Sequence, residues 1–255
     1  MTESAILCGL LGLIAGSFIN VVAHRVPRGL SVVAPRSMCP RCGHEIRWHD
    51  NVPVLSWFLL RGRCRDCGER ISARYPLVEA ATGGLFAAMP YAVGVSWILP
   101  AYLWFVGVTM VLTLTDLDHK LIPNRVLYPG TLGAAVLLAA GSVIDGDAGS
   151  LPRAFGGAVV YFAALFAIAL IARGGFGFGD VKLAFLLGMF AGYLGWGQVA
   201  VAGIGSFLVG GVLSVFLLLT RIRSRKDYIP FGPSMVLAAY LAVWFGDSIV
   251  DWWLG

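Results

Sequence analysis

The sequence predicts an all-α polytopic membrane protein of about eight transmembrane helices with a small cytoplasmic insert. Hydrophobic residues make up 58% of the 255 residues and charged residues only 13%, and the mean hydropathy is +0.80. Ordinary soluble domains do not reach this balance. The apolar residues are also grouped into long runs, and a bilayer requires about 20 apolar residues for each helical span. These observations place the chain in a membrane.

Eight apolar runs are candidate spans, and the sixth and eighth of them are short. They cover residues 5–22, 77–95, 97–115, 127–144, 155–172, 181–193, 199–220 and 235–244. We expect the first run to be a retained span rather than a secretory signal, because Glu3 precedes it in place of a basic region. The sequence therefore predicts a first helix (1–23), an insert (24–76) and a seven-helix membrane domain (77–255).

Basic residues predict the orientation of these spans, because Lys and Arg collect in cytoplasmic loops. Ten Arg lie within residues 25–74, and most other basic residues follow odd-numbered spans: Lys120, Arg125, Arg173, Lys182, Arg221, Arg223, Arg225 and Lys226. Only Arg153 falls on the other side. We therefore expect an inner-membrane protein with both termini outside the cytoplasm. The net charge of +5 is then a topology signal, and no basic stripe or soluble domain indicates nucleic-acid binding.

The insert carries two CxxC pairs, Cys39 with Cys42 and Cys64 with Cys67, separated by residues 43–63. Two short turns at this spacing can offer four thiolates to one tetrahedral zinc ion. A Gly follows each pair, as expected where a turn needs positive φ. Because four thiolates leave no coordination position open, the sequence predicts a structural zinc site rather than a catalytic one.

Other interpretations of these cysteines remain open. Two disulfides or free thiols fit the same spacing, although disulfides seldom persist in a reducing cytoplasm. His44 or His49 could replace one of the thiolate ligands. The fifth cysteine, Cys8, lies within the first apolar run and is expected to be a small packing residue.

Two aspartates stand at the ends of apolar runs. Asp116 directly follows the third run, and Asp180 opens the sixth in the sequence Gly177-Phe178-Gly179-Asp180. Charged groups within a span cost about 2.5 to 3.5 kcal/mol at its centre, so acids near such positions usually serve function. The predicted topology places both on one membrane face. Two carboxylates that share a pocket can act as acid and base around one water molecule, which is the chemistry of peptide hydrolysis.

Several alternatives apply to the same aspartates. Each one could cap a helix or pair with a cytoplasmic Arg. Together they could form a proton relay in a transporter, or the protein could be a scaffold that binds assembly proteins through its insert. Asp118, two residues from Asp116, is a rival for the catalytic role.

The aspartate motifs resemble those of the GxGD membrane aspartyl proteases, specifically the type IV prepilin peptidases. Asp116 is followed seven positions later by Pro123, and the GxGD sequence ends at Asp180. The double CxxC and residues 16–22, 50–57, 61–64 and 71–79 also match that family. The similarity covers about residues 9–190, whereas the last two runs match only as generic apolar helices.

This resemblance implies a function that the residues alone do not establish. Asp116 and Asp180 would remove the leader of prepilins or pseudopilins, for a pilus or secretion system, on the cytoplasmic side of the membrane and after a Gly. Gly177 and Gly179 would let an extended substrate approach Asp180, and Pro123 would support the site. Relatives with such an insert are typically also methyltransferases that use S-adenosylmethionine. Glu79 and Asn20 are our candidates for methylation or substrate placement, although either could equally be a buried hydrogen-bonding residue.

Overall fold

A computed structural model describes residues 1–172, 177–220 and 230–254. Within these ranges the chain is helical and forms no β-strand. Its α-helices there are α1 (Thr2–Arg25), α2 (Leu55–Leu59), α3 (Arg74–Val93), α4 (Leu99–His119), α5 (Asn124–Ile144), α6 (Leu151–Ile171), α7 (Phe178–Leu194), α8 (Trp196–Leu219) and α9 (Gly232–Leu254). The predicted all-α fold is confirmed.

Each of the eight predicted runs lies on a long helix. Six of the described helices are long and apolar enough to cross a membrane, and α3 and α7 are not among them. The count of eight spans therefore stays a prediction. The predicted end of the eighth run at Trp244 is wrong, because α9 has 23 residues and continues to Leu254.

The chain divides into two compact units, residues 1–111 and 112–255. In the first unit α1 and α3 pack closely as an antiparallel pair. A Cβ atom added at Gly12 would lie 2.6 Å from Phe86 Cβ, and one added at Gly16 would lie 2.7 Å from Glu79 Cα. Small residues therefore let the two backbones approach, as is common between membrane helices.

The second unit contains two closely packed helix pairs, α6 with α7 and α8 with α9. Arg153, the exception to the basic bias, has a structural role in the first pair. Its Nε donates to the Gly192 carbonyl at 2.9 Å and its Nη2 to the Tyr193 carbonyl at 2.6 Å. These are among the last carbonyls of α7, where a cation also interacts favourably with the helix dipole.

Part of the predicted topology falls outside the described residues. Arg173 and the basic cluster of Arg221, Arg223, Arg225 and Lys226 are not among the residues that the structure describes. The predicted orientation, with both termini outside the cytoplasm, remains an expectation from the charge pattern.

Candidate functional site

Asp116 lies in the last turn of α4 and is almost completely buried, with 4% of its surface exposed. The sequence placed it just after the third apolar run, and the helix continues past it to His119. The backbone N–H of Gly232, at the start of α9, donates a hydrogen bond to Asp116 Oδ2 at 3.1 Å. This hydrogen bond orients the carboxylate toward the start of α9.

Asp180 lies in the first turn of α7 and is buried to the same extent, with 4% exposed. Gly177 is the N-cap of this helix, and its carbonyl accepts the Asp180 N–H at 3.0 Å. The predicted position at a helix start is confirmed. Residues 173–176, which immediately precede the GxGD sequence, lie outside the described residues.

Ile122 connects the surroundings of the two aspartates. A Cβ atom added at Gly179, next to Asp180, would lie 3.1 Å from Ile122 Cβ. One added at Gly232, which binds Asp116, would lie 3.5 Å from Ile122 Cδ1. The charge of Asp116 also acts electrostatically on Asp180. The second unit thus brings the two predicted carboxylates into one buried cluster.

A side-chain contact also joins the start of α7 to the start of α5, which follows α4 in the chain. Lys182 Nζ donates to Asn124 Oδ1 at 3.1 Å, which links the start of α7 to the start of α5. The same ammonium lies 5.0 Å from the ring centroid of Phe178 and 5.5 Å from that of Tyr128, within the range of cation–π attraction. Pro123, predicted to support the site, caps α5 and its carbonyl accepts the Leu127 N–H at 3.0 Å.

Gly232 and Ile122 are functional candidates that sequence reasoning missed. Gly232 stands 116 positions from Asp116 along the chain, so no local spacing connects them. A signal was nevertheless available, because Gly232 is followed by Pro233 before an apolar run. Such a Gly-Pro pair is typical of a helix start, and the last run was interpreted only as a generic apolar helix.

The chemistry available to this cluster follows from two buried carboxylates that interact. Two carboxylates that share a buried site do not both ionise easily, and a pair that holds one proton has one acidic and one basic member. The pair can then remove a proton from a water molecule and donate one to a leaving amine.

The four cysteines of the insert form a separate cluster in the first unit. The Sγ atoms of Cys39, Cys42, Cys64 and Cys67 all lie within 4.8 Å of one another, and the Cys39 and Cys67 sulfurs are 3.8 Å apart. Four thiolates around zinc at about 2.3 Å would have sulfurs about 3.8 Å apart. All four cysteines are free of disulfide bonds, so the cluster fits a tetrahedral metal.

The two CxxC turns are built alike. The Cys39 N–H donates to the His44 carbonyl at 3.0 Å, and the Cys64 N–H donates to the Glu69 carbonyl at 2.8 Å. Gly43 and Gly68 have φ of 72° and 71°, as predicted from their positions. Hydrogen bonds from the backbone N–H groups of Cys42 and Arg41 lower the pKa of the Cys39 thiol to about 7. The cluster contains neither His44 nor His49.

Asn20 and Glu79 also belong to the first unit and are buried. Asn20 Nδ2 donates to the carbonyls of Gly16 at 3.2 Å and Tyr75 at 3.3 Å, which joins α1 to α3. Glu79 Oε2 accepts the backbone N–H of Val54 at 2.7 Å, which joins α3 to the insert. Both side chains therefore have hydrogen-bonding roles within this unit.

Comparison with known proteins gives two family matches along the chain. Residues 10–93 match the bacterial peptidase A24 N-terminal domain, and residues 101–215 match the type IV leader peptidase family. Similarity thus continues past residue 190, beyond the limit expected from the motifs.

Several curated relatives are named prepilin leader peptidase/N-methyltransferase. One from Aeromonas hydrophila is 36% identical in an alignment that covers 96% of this chain and 92% of the relative. One from Pseudomonas aeruginosa is 35% identical over 98% of this chain and 93% of the relative. One from Bacillus subtilis is 36% identical, with 96% of each chain covered. No solved structure matches.

Proposed function

This chain belongs to the type IV leader peptidase family, and we propose that Asp116 and Asp180 are the two carboxylates of its peptidase reaction. The chain is a membrane enzyme that processes prepilins, with the combined leader peptidase and N-methyltransferase function of its relatives. The observation that carries the assignment is the burial of both carboxylates in one cluster, since each has 4% of its surface exposed.

In the proposed mechanism, one carboxylate acts as a base and the other as an acid. The anionic carboxylate removes a proton from a water molecule, whose oxygen attacks the scissile carbonyl carbon. The protonated carboxyl stabilises the developing oxyanion and supplies the proton that the leaving amine requires. Because Gly179 has no side chain, the first turn of α7 can lie against Ile122, which an added Cβ atom would approach to 3.1 Å. The role of Gly177 and Gly179 in substrate approach stays a prediction. The Gly232 N–H keeps Asp116 in position at 3.1 Å.

The position of the aspartates supports a peptidase over a transporter. A proton relay in a transporter is expected near the bilayer midplane. Asp116 instead lies in the last turn of α4, and Asp180 in the first turn of α7. Both acids therefore lie at helix ends, where a substrate segment leaving the membrane can reach them.

The substrate and the side of the membrane follow from the family and the charge pattern. We infer that the enzyme removes the leader of prepilins or pseudopilins after a Gly, on the cytoplasmic side of the inner membrane. The basic residues of the insert support that orientation, because Arg-rich loops resist translocation. Both termini would then lie outside the cytoplasm.

Zinc is the proposed occupant of the four-cysteine cluster, held by Cys39, Cys42, Cys64 and Cys67. Bound there, it would supply structural cross-linking rather than catalysis, because four thiolates fill its coordination sphere. The double turn brings together segments that have few other regular elements between α1 and α3. The metal is thus expected to stabilise the insert.

We expect about one zinc ion per purified chain, measured by atomic absorption, and a loss of metal in Cys67→Ser. Without the metal, the insert loses the energy of four metal–sulfur bonds, so limited proteolysis should cut it between α1 and α3. Cys8→Ser is the matched control, because Cys8 lies outside the cluster and should keep both metal and protease resistance. Equal metal content in the two variants would contradict the assignment.

The methyltransferase activity is assigned to the same chain, with S-adenosylmethionine as the methyl donor and the newly freed amino terminus as the acceptor. Glu79 and Asn20 remain our candidates for methylation or substrate placement. One carboxylate oxygen of Glu79 accepts the Val54 N–H at 2.7 Å.

The test of the proposed function is processing of a model prepilin by the purified protein in detergent. Mass spectrometry should show loss of the leader, followed by addition of one methyl group when S-adenosylmethionine is present. A substrate whose Gly before the cleavage site is replaced should remain uncut. An intact prepilin after incubation with folded protein would overturn the peptidase assignment.

A further inference from the structure

The short helix α2 exposes an apolar face although it belongs to the insert rather than to a long apolar helix. Leu55, Phe58 and Leu59 are 54%, 65% and 72% exposed, and their spacing places them on one side of the helix. Ser56, outside that face, is buried: it accepts the Val52 N–H and donates to the His49 carbonyl, both at 3.0 Å. The helix therefore has a fixed inner face and an apolar outer face.

The turn that begins α2 is tied to the side of α3. Val54 has φ of 62° and ψ of −52°, and the Leu55 N–H donates to the Pro53 carbonyl at 2.6 Å across it. This is a γ-turn with positive φ, which is strained for a β-branched residue. The energetic cost of this strain is offset by a hydrogen bond, in which the Val54 N–H donates to the buried carboxylate of Glu79 at 2.7 Å.

The hydrogen bond between Val54 and Glu79 determines how deep α2 lies along the axes of the membrane helices. Glu79 packs against Gly16 of α1, and α1 is one of the helices able to cross a membrane. Gly16 precedes the basic end of α1, at Arg25, by nine residues, which is about 13 Å of helix. A glutamate side chain reaches back about one turn toward its helix N-terminus, so Val54 lies roughly 8 Å inside the level of Arg25.

The positive charge that follows α2 is complementary to the phosphate groups of a phospholipid surface. Arg61 and Arg63 are exposed just beyond the helix, and residues 52–63 contain no acid. Arg side chains at a bilayer surface bind lipid phosphates while neighbouring apolar side chains enter the acyl region. Interfacial helices bury their apolar face by about 5 to 10 Å in that boundary, which agrees with the level of Val54.

We propose that α2 is an interfacial helix whose outer face, Leu55, Phe58 and Leu59, inserts into the boundary between the headgroups and the acyl chains. Arg61 and Arg63 then lie among the lipid phosphates. Glu79 sets the depth of insertion through the Val54 turn. The insert is thereby attached to the bilayer directly, in addition to its covalent connections to α1 and α3. This membrane contact does not depend on the peptidase assignment.

Depth-dependent fluorescence quenching tests this contact in the full chain, reconstituted in lipid nanodiscs with zinc present. Phe58→Cys and Leu59→Cys would each be labelled with an environment-sensitive nitrobenzoxadiazole group, and labelling of the parent chain would give the background. Glu45→Cys is the control, because the Glu45 side chain is 59% exposed and lies at the first CxxC turn. Thermal unfolding of each labelled variant would verify that it folds like the parent.

We expect labels at positions 58 and 59 to have blue-shifted emission. Doxyl groups at carbon 5 of the acyl chain should quench them more strongly than doxyl groups at carbon 16. The label at position 45 should instead be quenched by aqueous iodide and not by the lipids. Iodide quenching of positions 58 and 59 equal to that of position 45 would overturn the proposal. Protection from both iodide and doxyl lipids would also overturn it, because a protein partner would then cover α2.

Discussion

Asp116→Asn and Asp180→Asn should each lower kcat for leader cleavage by about 10³-fold, within the range that proton transfer contributes to catalysis. Asparagine has almost the same shape as aspartate but can neither accept nor donate the proton at neutral pH. The KM should change little, because neither substitution alters the size of the site. Initial rates on a model prepilin, read by mass spectrometry, would give both constants.

The double variant provides a further test of the pair. If Asp116 and Asp180 act together on one water molecule, Asp116→Asn combined with Asp180→Asn should be no slower than either single variant. If the rate losses of the two single variants instead multiply in the double variant, the two groups act independently.

Asp118→Asn is the matched control for charge and position. Asp118 lies two residues from Asp116, but it is exposed whereas Asp116 is buried. The control should therefore keep the wild-type rate. A large loss in Asp118→Asn with normal rates in the other two would transfer the catalytic role to Asp118. Pilus or secretion function that survives in all three variants but fails when the zinc ligands are removed would favour the scaffold interpretation.

The parts of the fold that depend on local pattern could be predicted from the sequence. Long apolar runs identified every long helix, because burial in lipid requires about 20 apolar residues in succession. The end of α9 was missed, because Asp247 interrupts the apolar pattern after Trp244. In the structure Gln198 Nε2 donates to Asp247 Oδ1 at 2.5 Å. A partner on another helix thus lets a polar residue remain within α9.

The two aspartates of the candidate site could be predicted from the sequence, but the residues that position them could not. Asp116 and Asp180 stand out because a carboxylate beside an apolar run costs free energy in a membrane and therefore usually serves function. The four cysteines stand out because their spacing is local. Gly232 and Ile122 carry no comparable signal, since an apolar residue or a glycine is ordinary in such a chain. Their roles arise from contacts between residues far apart in sequence, which periodicity and spacing do not reveal.

Gly232→Ala should reduce kcat by about 10²-fold, the loss expected when a catalytic group is displaced by about 1 Å. A Cβ atom at position 232 would lie 2.6 Å from Asp116 Oδ2 and 3.4 Å from Asp116 Cγ. Either the carboxylate or the start of α9 must then move, and the hydrogen bond from the Gly232 N–H is lost. The chemical step should suffer rather than substrate binding, so the KM should stay near its wild-type value.

Gly211→Ala is the matched control, because a Cβ atom at Gly211 would meet nothing within 4 Å. Both substitutions add one methyl group to a glycine of the second unit, so they differ mainly in their distance from Asp116. Thermal unfolding in detergent should show that both variants fold, and only Gly232→Ala should lose activity. Equal rates in the two variants would mean that Gly232 does not position Asp116 for catalysis. A loss in Gly232→Ala that appears entirely in KM would assign the glycine to substrate binding instead, because the carboxylate would still perform its proton transfer at the normal rate.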